Sequence, residues 1–265
     1  MGIKVGICKE AKQGENRVVL TPGDVNGLVE QFPEVMFLVE ENAGVGSGFI
    51  NELYTSVGAV VVPRERLYAM ANVIVGVKEP LEHEWPLIRP NHTLFKFFHL
   101  PSGKKLFDFL KALGCTVIAF ESIEEADHSR PIADEMSKVA AEYSILTAEK
   151  YYVAANGKAW IECRVAVFGA NGVAGRSAME KALRRGAWTI GFDVAAPADK
   201  TDQMITALKS MLSCADGGCC SGGCNPLNRM NGWFIHPTPA AIEYFMPMFD
   251  IVVTAAAARN KNAPK

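Results

Sequence analysis

The sequence lacks the features that would direct it to a membrane, to the secretory pathway or to nucleic acid. It contains no run of about eighteen apolar residues, the length that a membrane-spanning helix needs. Its first ten residues, MGIKVGICKE, lack the basic segment and long apolar stretch of a secretory signal. The formal net charge of −2 provides no excess of positive charge for binding nucleic acid. We therefore expect a cytoplasmic protein with no membrane span and no nucleic-acid partner.

The chain also lacks internal repeats, and its pattern is that of an α/β protein. Its 265 residues are 49% hydrophobic, which suffices for one large or two modest cores. Short β-branched runs alternate with helical patterns, as is typical of parallel sheets. Strands are predicted at residues 3–8, 35–40, 59–62, 72–78, 92–98, 116–122, 164–168, 188–193 and 250–255. Helices are predicted at residues 21–32, 50–58, 102–114, 132–153, 173–185, 201–212 and 238–245. Thr21 is the expected N-cap of the first, and the third is expected to begin at the N-cap Ser102 and to end at Gly114.

Two stretches divide the chain into domains. The long helical pattern at 132–153 could join two lobes, and AANGK at 154–158 is a candidate hinge. We predict a first domain at residues 1–135, a linking helix at 136–153 and a second domain at 154–265. Both domains are expected to be Rossmann-like parallel-sheet lobes with a cleft between them. The second lobe has only three predicted strands and is expected to be incomplete.

The segment VFGANGVAGRSAMEKALRRGAWTIGFD (167–193) contains a candidate nucleotide-binding turn between a strand and a helix. Glycine lets the backbone approach a pyrophosphate closely, and the helix N-terminus supplies free N–H groups. Asp193 ends the next strand, where a carboxylate can accept the ribose hydroxyls of NAD and would repel a 2′-phosphate. The alternative is that the glycines only pack a strand against a helix. The predicted cofactor contacts are Gly169, Ala170, Asn171, Gly172, Val173, Ala174, Gly175 and Asp193.

Several segments follow one another in the register of a known family. They are GICKEAKQGENRVVLTP (6–22), AGVGSGF (43–49), VGVKEP (75–80), LFKFFHL (94–100) and DEMSKVAAE (134–142). Over nearly its whole length the chain resembles the alanine dehydrogenase/nicotinamide nucleotide transhydrogenase family. The pair His99-Leu100 after an apolar strand favours the alanine dehydrogenase branch over the transhydrogenase alpha subunit. The following Pro101-Ser102-Gly103 is also similar to carboxyethylornithine synthase, a more distant relative.

The resemblance implies NAD-dependent oxidation of a small 2-amino acid, with L-alanine giving pyruvate and ammonia, or the reverse reaction on a 2-keto acid. It implies that Arg17 and Lys78 hold the substrate carboxylate and that His99 is the general acid/base. These residue types suit the reaction, which needs a cationic clamp, a proton acceptor and a hydride acceptor. Three alternatives stay open: Arg17 as a solvated loop residue, Lys78 paired with Glu79 or another surface acid, and His99 as a core histidine. We interpret Glu15 as a structural partner of Arg17.

The resemblance also places Met136, Ser137, Ala256 and Ala257 near the cofactor. Members of the family continue for roughly a hundred residues beyond the point that corresponds to Lys265. A transhydrogenase-type module, an opine-type synthase and a truncated, non-catalytic dinucleotide-binding relative therefore remain alternatives. We also expect a homo-oligomer. The other histidines, expected in loop-like or exposed settings, are given no role.

Four of the seven cysteines cluster in the segment CADGGCCSGGC: Cys214, Cys219, Cys220 and Cys224. Thiolates can bind zinc, but the adjacent pair in this segment is awkward for a shared tetrahedron. We therefore predict a surface loop and no metal, with a redox-labile loop as the alternative. The remaining three cysteines are in apolar, strand-like contexts and are expected to be buried thiols: Cys8, Cys115 and Cys163.

Overall fold

A computed structural model describes residues 2–100, 103–196, 198, 200–203, 205–206 and 232–255. The chain divides into two compact units, Met1–Ala133 and Asp134–Lys265. Each unit is built around its own parallel sheet, as predicted from the alternation of strand and helix patterns.

The sheet of the first unit has six strands, all paired in parallel, in the order β3-β2-β1-β4-β5-β6. Successive strands extend from β1 in one direction, and the chain then crosses back to place β4 on its other side. This reversal makes the boundary between β1 and β4 a topological switch point. The strands are β1 (Lys4–Ile7), β2 (Met36–Glu40), β3 (Val60–Val62), β4 (Val73–Val75), β5 (Thr93–Lys96) and β6 (Thr116–Ala119).

The helices of this unit are α1 (Pro22–Gln31), α2 (Asn51–Thr55), α3 (Arg64–Met70) and α4 (Lys104–Leu113). Helix α1 begins as predicted, with Thr21 and Asp24 in a reciprocal capping box. Helix α4 begins at Lys104 and ends at Leu113, where the predicted terminator Gly114 forms the C-cap with a φ of 74°. The predicted N-cap Ser102 lies outside the described residues. Helix α3 was not predicted, because its seven residues are too few for a clear helical period.

Two apolar layers cover the two faces of this sheet. One contains Leu38, Ile74 and Leu94. The other contains Val39 and Val75, the strand neighbours of the first two. Alternate strand residues point to opposite faces, so strands that are apolar on both faces are buried by both layers.

Helix α5 (Pro131–Asn156) runs from the end of the first unit into the second. It extends three residues beyond the predicted end, so residues 154–156 of the predicted hinge are helical. The helix stops where Gly157 takes a φ of 63°. Asp250 anchors this end of the helix, because it accepts hydrogen bonds from Tyr152 Oη at 2.9 Å and Lys158 Nζ at 2.8 Å.

The sheet of the second unit has four parallel strands among the described residues, in the order β10-β7-β8-β9. They are β7 (Arg164–Phe168), β8 (Trp188–Phe192), β9 (Phe234–Ile235) and β10 (Ile251–Thr254). The prediction of three strands in this lobe was wrong: β9 has only two residues, too few to show a period of two in the sequence.

Besides α5, the described part of the second unit contains the α-helices α6 (Val173–Arg184) and α7 (Pro239–Phe245). The described residues from 200 to 206 are helical, and the rest of the helix predicted at 201–212 lies outside the described residues. One face of the sheet packs Val165 and Val167 against Ile145 of α5 and Ala178 of α6. The other face packs Ala166, Ile190 and Phe192 against Phe245 of α7.

The cysteine predictions have mixed outcomes. Cys8 and Cys163 are fully buried free thiols, as expected. Cys115 is only half-buried, because it lies in the connection just before β6 rather than inside the strand. The cysteines at 214, 219, 220 and 224 lie outside the described residues. In the part of the chain that is described, no group of three or more histidines, cysteines or acids is arranged to hold a metal ion. None of the helices described there has the length and apolar character needed to cross a membrane.

Candidate functional site

In the first unit, the three predicted catalytic residues follow neighbouring strands. Arg17 lies in the connection after β1, Lys78 comes three residues after β4 and His99 three residues after β5. These strands are adjacent in the order β1-β4-β5, and all run in parallel. The residues therefore lie on connections that leave the same edge of the sheet, beside the switch point where α/β sheets bind ligands.

Glu15 holds Arg17 in place. The guanidinium donates from Nε to Glu15 Oε1 at 2.8 Å and from Nη2 to Oε2 at 2.5 Å, a bidentate pair. The hydrogen bond from Arg17 lowers the pKa of the Glu15 carboxyl, and the charge of Lys78 lowers it further. The same hydrogen bond raises the pKa of Arg17. Glu15 is thus the structural partner that the sequence suggested, and it fixes the orientation of the Arg17 guanidinium.

Lys78 is half-buried and forms no ion pair with any residue in the described part of the chain. The predicted alternative, a pair with Glu79, is not formed, because Glu79 instead binds Lys12 Nζ at 3.0 Å. The backbone N–H of Lys78 donates to Glu10 Oε2 at 3.0 Å. The main chain at Lys78 is therefore fixed, while its ammonium group is available to an anion.

His99 has an unusual backbone conformation for a residue other than glycine, with a φ of 48°. Its N–H donates to Glu121 Oε1 at 2.6 Å, and the N–H of Phe98 donates to the same carboxylate. Its ring stacks on Phe97, with the centroids 6.1 Å apart. Because the side chain is exposed, the interpretation of His99 as a core histidine was wrong.

The core histidine of this unit is His92, which is 1% exposed. His92 has the loop-like setting that was one of the two expected, directly before β5, but it is buried rather than exposed. Its Nδ1 accepts from the Arg89 N–H at 3.1 Å, and its Nε2 lies 3.0 Å from the carbonyl oxygen of Tyr68. Nε2 therefore donates in a neutral ring. Burial lowers the pKa of His92, and nearby Arg89 adds to the effect while the hydrogen bond to Tyr68 opposes it.

The glycine turn of the second unit has a shape that requires glycine. Gly169 has a φ of 74°, and its N–H donates to the carbonyl oxygen of Phe192 at 2.8 Å. A Cβ on Gly175 would overlap the carbonyl oxygen of Gly169 and lie 2.7 Å from Ala170 Cα. Helix α6 follows Gly172 without a side-chain cap, so the first N–H groups of the helix are available to a phosphate.

Asp193 directly follows β8, beside this turn. Its Oδ2 accepts from the N–H of Asn171 at 2.8 Å, and its Oδ1 accepts from the N–H of Ala195 at 2.9 Å. A carboxylate can accept about four hydrogen bonds, so both oxygens keep the capacity to accept from hydroxyl groups. The carboxylate is thus fixed in orientation by the turn that it would serve.

A cavity of about 510 Å³ lies along β10 in the second unit. It brings together two of the predicted cofactor residues, Ser137 of α5 and Ala174 of α6. Met136, next to Ser137, is half-buried and is not among the lining residues. The predicted contacts Ala256 and Ala257 lie outside the described residues. The lining residues are Ser137, Ala140, Ala141, Ser144, Ala148, Ala174 and Ile251 to Ala255.

Comparison with known proteins identifies the family. The sequence model of the alanine dehydrogenase/PNT N-terminal domain matches residues 6–140, which is half of the chain. The chain belongs to the alanine dehydrogenase/PNT family. Its match to the alanine dehydrogenase of Bacillus subtilis is 41% identical over 136 residues, 51% of this chain and 35% of that protein. Its match to the alanine dehydrogenase of Staphylococcus epidermidis is 31% identical over 271 residues, 99% of this chain and 66% of that protein.

Solved structures of the family share the fold. An L-alanine dehydrogenase superimposes with a TM-score of 0.77 at 26% identity, over 99% of this chain and 68% of that chain. The transhydrogenase from Sinorhizobium meliloti superimposes with a TM-score of 0.72 at 22% identity, over 98% of this chain and 72% of that chain. The chain thus spans from about a third to about two thirds of the length of the first curated relatives that it matches.

Sequence reasoning missed two charged residues of the first unit, Glu10 and Lys96. Glu10 accepts hydrogen bonds from the segment that carries Lys78, and Lys96 is 3% exposed. The available signal was the lysine in LFKFFHL, because a charge within an apolar strand is unexpected unless it has a polar surrounding.

Proposed function

We propose that this chain forms the substrate-binding and NAD-binding parts of an enzyme that oxidises a small 2-amino acid, with L-alanine giving pyruvate and ammonia. One observation carries the proposal: Arg17, Lys78 and His99 follow three neighbouring parallel strands at one edge of a sheet. Two cations and an imidazole on neighbouring connections are the groups that this chemistry requires. The curated relatives named alanine dehydrogenase support the substrate class.

Arg17 and Lys78 bind the substrate carboxylate in this proposal. Arg17 is oriented by the bidentate pair with Glu15, and its planar guanidinium matches the geometry of a carboxylate. Lys78 contributes an ammonium that has no ion-pair partner among the described residues. A carboxylate fixed between two cations presents the adjacent Cα–H and amino group in a defined orientation.

His99 moves the proton. The imidazole accepts a proton released from the amino group during oxidation and returns it to solvent; in the reverse direction it donates one. Its main chain is fixed by Glu121, so the ring projects from a defined point after β5. The exposure of the ring allows exchange of that proton with water.

The second unit offers residues that fit NAD. The turn from Gly169 to Gly172 leaves no room for a Cβ at Gly175, and the uncapped start of α6 presents N–H groups to a pyrophosphate. Asp193 would accept the adenosine ribose hydroxyls, and the residue after it is Val194 rather than an arginine that would favour NADP. NAD, when bound, supplies the hydride acceptor.

The test is a panel of 2-amino acids, including L-alanine, incubated with the chain and NAD while NADH formation is followed by absorbance. We expect alanine-dependent formation of NADH and the reverse reaction with pyruvate, ammonia and NADH. NADH binding without turnover of any 2-amino acid would contradict the proposal and favour a transhydrogenase-type or non-catalytic relative. NADH oxidation that requires a keto acid and an amino acid together would indicate an opine-type synthase. Light scattering after size-exclusion chromatography tests the predicted homo-oligomer.

A further inference from the structure

Glu10 connects two segments that are far apart in the sequence. It lies three residues after β1, and its carboxylate binds the two consecutive N–H groups that follow Gly76 after β4. Oε1 accepts from Val77 at 2.6 Å and Oε2 accepts from Lys78 at 3.0 Å. A carboxylate that accepts two backbone N–H groups fixes both peptide units. The carboxylate therefore sets the direction in which Lys78 leaves the sheet.

Lys96 is a nearly buried cation at the end of β5, with 3% of its surface exposed. Its backbone pairs with Ala119 of β6, but its ammonium group forms neither a hydrogen bond nor an ion pair with any residue in the described ranges. A charge in such a position is costly unless another charge compensates it. Its Nζ is not completely enclosed, so the tip of the side chain retains some contact with solvent.

The absence of a side chain at Gly76 leaves the space that Lys96 and Glu10 both enter. The point that a Cβ on Gly76 would occupy lies 2.6 Å from Lys96 Nζ and 3.0 Å from Glu10 Oε1. Both charged groups therefore lie over the same glycine, on the peptide that leads into Val77 and Lys78. Because both groups lie close to the same point and no ion pair joins them, the carboxylate and the ammonium attract each other without direct contact.

We propose that Glu10 and Lys96 are positioning residues for Lys78. Glu10 fixes the main chain of Val77 and Lys78, and Lys96 compensates the charge of Glu10 across Gly76. The inference rests on the proposed function, in which Lys78 binds the substrate carboxylate. Neither Glu10 nor Lys96 needs to touch the substrate for this role.

The first test measures amide hydrogen exchange of the segment 73–80 in the wild type and in Glu10→Gln. A glutamine amide keeps one acceptor oxygen and turns an NH₂ group toward the second N–H, so one of the two hydrogen bonds is lost. We expect exchange at Val77 or Lys78 to become about tenfold faster. The matched control is Glu34→Gln, an exposed glutamate whose replacement should leave this segment unchanged.

The second test measures KM for L-alanine and kcat separately. Glu10→Gln and Lys96→Met should raise KM about tenfold or more with a smaller change in kcat, because they displace a binding group. Lys96→Arg should retain most of the affinity, since it keeps the charge. The control Lys105→Met replaces a lysine whose side chain is 85% exposed and should leave both constants unchanged.

The double variant Glu10→Gln/Lys96→Met identifies the pairing. Each single change removes one charge of the pair and leaves the other, whereas the double change removes both, so its thermal midpoint should lie above that of Lys96→Met. Wild-type exchange and wild-type KM in Glu10→Gln would overturn the proposal, as would faster exchange with an unchanged KM. If the wild type does not turn over alanine, the proposed function fails, and the exchange comparison still decides whether this pair fixes the segment.

Discussion

The two sheets of this protein share a strand order but offer a ligand different chemistry. In the first unit the order β3-β2-β1-β4 places the first strand between the second and the fourth, and β9-β8-β7-β10 repeats this arrangement in the second unit. Beside β1 the chain presents charged side chains, including Arg17 and Glu10. Beside β7 it presents glycines and the start of a helix.

The length of the connection explains the difference. Four residues, 169–172, join β7 to α6, so the helix begins at the sheet edge and its N–H groups face a ligand there. Fourteen residues, 8–21, join β1 to α1. That longer connection has room for Glu10, Glu15 and Arg17, whose side chains replace the helix N-terminus as the polar groups of the edge. Sheets of the same topology can thus bind a ligand either through backbone N–H groups or through side chains.

The largest effect on the contrast between the two units is expected when proton transfer is removed from the sheet edge of the first unit, which offers side chains to a ligand. We expect His99→Ala to lower kcat by about 10²- to 10⁴-fold, the usual contribution of a general acid/base. NADH affinity measured by calorimetry should not change, because the glycine turn is in the other unit. Turnover equal to that of the wild type would exclude the role of His99.

A smaller loss is expected when one cation of that edge is removed. Lys78→Met should lower kcat/KM for L-alanine by about 10- to 100-fold, mainly through KM, because one charged contact to the carboxylate is lost. The measurement is steady-state kinetics with L-alanine. The control is Lys105→Met, which replaces an exposed lysine of α4. An unchanged KM would show that Lys78 does not bind the substrate.

The sheet edge of the second unit, where the glycine turn offers backbone N–H groups, is tested by adding a single methyl group. Gly175→Ala would place a Cβ against the carbonyl oxygen of Gly169, and we expect NADH affinity to fall at least about tenfold with a stability loss of about 1–3 kcal/mol. The control Gly27→Ala is also within a helix, but nothing lies within 4 Å of the added Cβ. That change should stabilise α1 by about 1 kcal/mol. If Gly175→Ala binds NADH with wild-type affinity, the glycine turn is not the pyrophosphate-binding site.

The smallest effect concerns the acid stability of the first unit. Because burial lowers the pKa of His92 below its usual 6.5, the unfolded chain takes up a proton there before the folded chain does. Stability should therefore fall as the pH drops below about 6.5, by at most about 1.4 kcal/mol per pH unit, until the pH reaches the pKa of the folded state. The measurement is urea unfolding of the chain at several pH values, with the first unit monitored by hydrogen exchange of its peptides. The unfolding free energy should fall less steeply with decreasing pH in His92→Gln than in the wild type. His128→Gln, at an exposed site, should keep the wild-type slope.

Local patterns were sufficient to determine several parts of this protein from the sequence. The alternation of β-branched runs and helical periods predicted the α/β class and the positions of nine of its strands. Thr21 as a helix cap and Gly114 as a helix end follow from short-range geometry, and both were confirmed. The glycine turn could be predicted because a strand, a turn and a helix are consecutive in the chain.

Only the tertiary structure decided the contacts that depend on strand order. The hydrogen bonds from Val77 and Lys78 to Glu10 span 67 and 68 residues, and they exist because β4 lies beside β1. The burial of Lys96 and of His92 likewise depends on which elements cover them. Periodicity shows which residues belong to a strand, but the neighbours of that strand are set by packing of the whole unit, which no local pattern records.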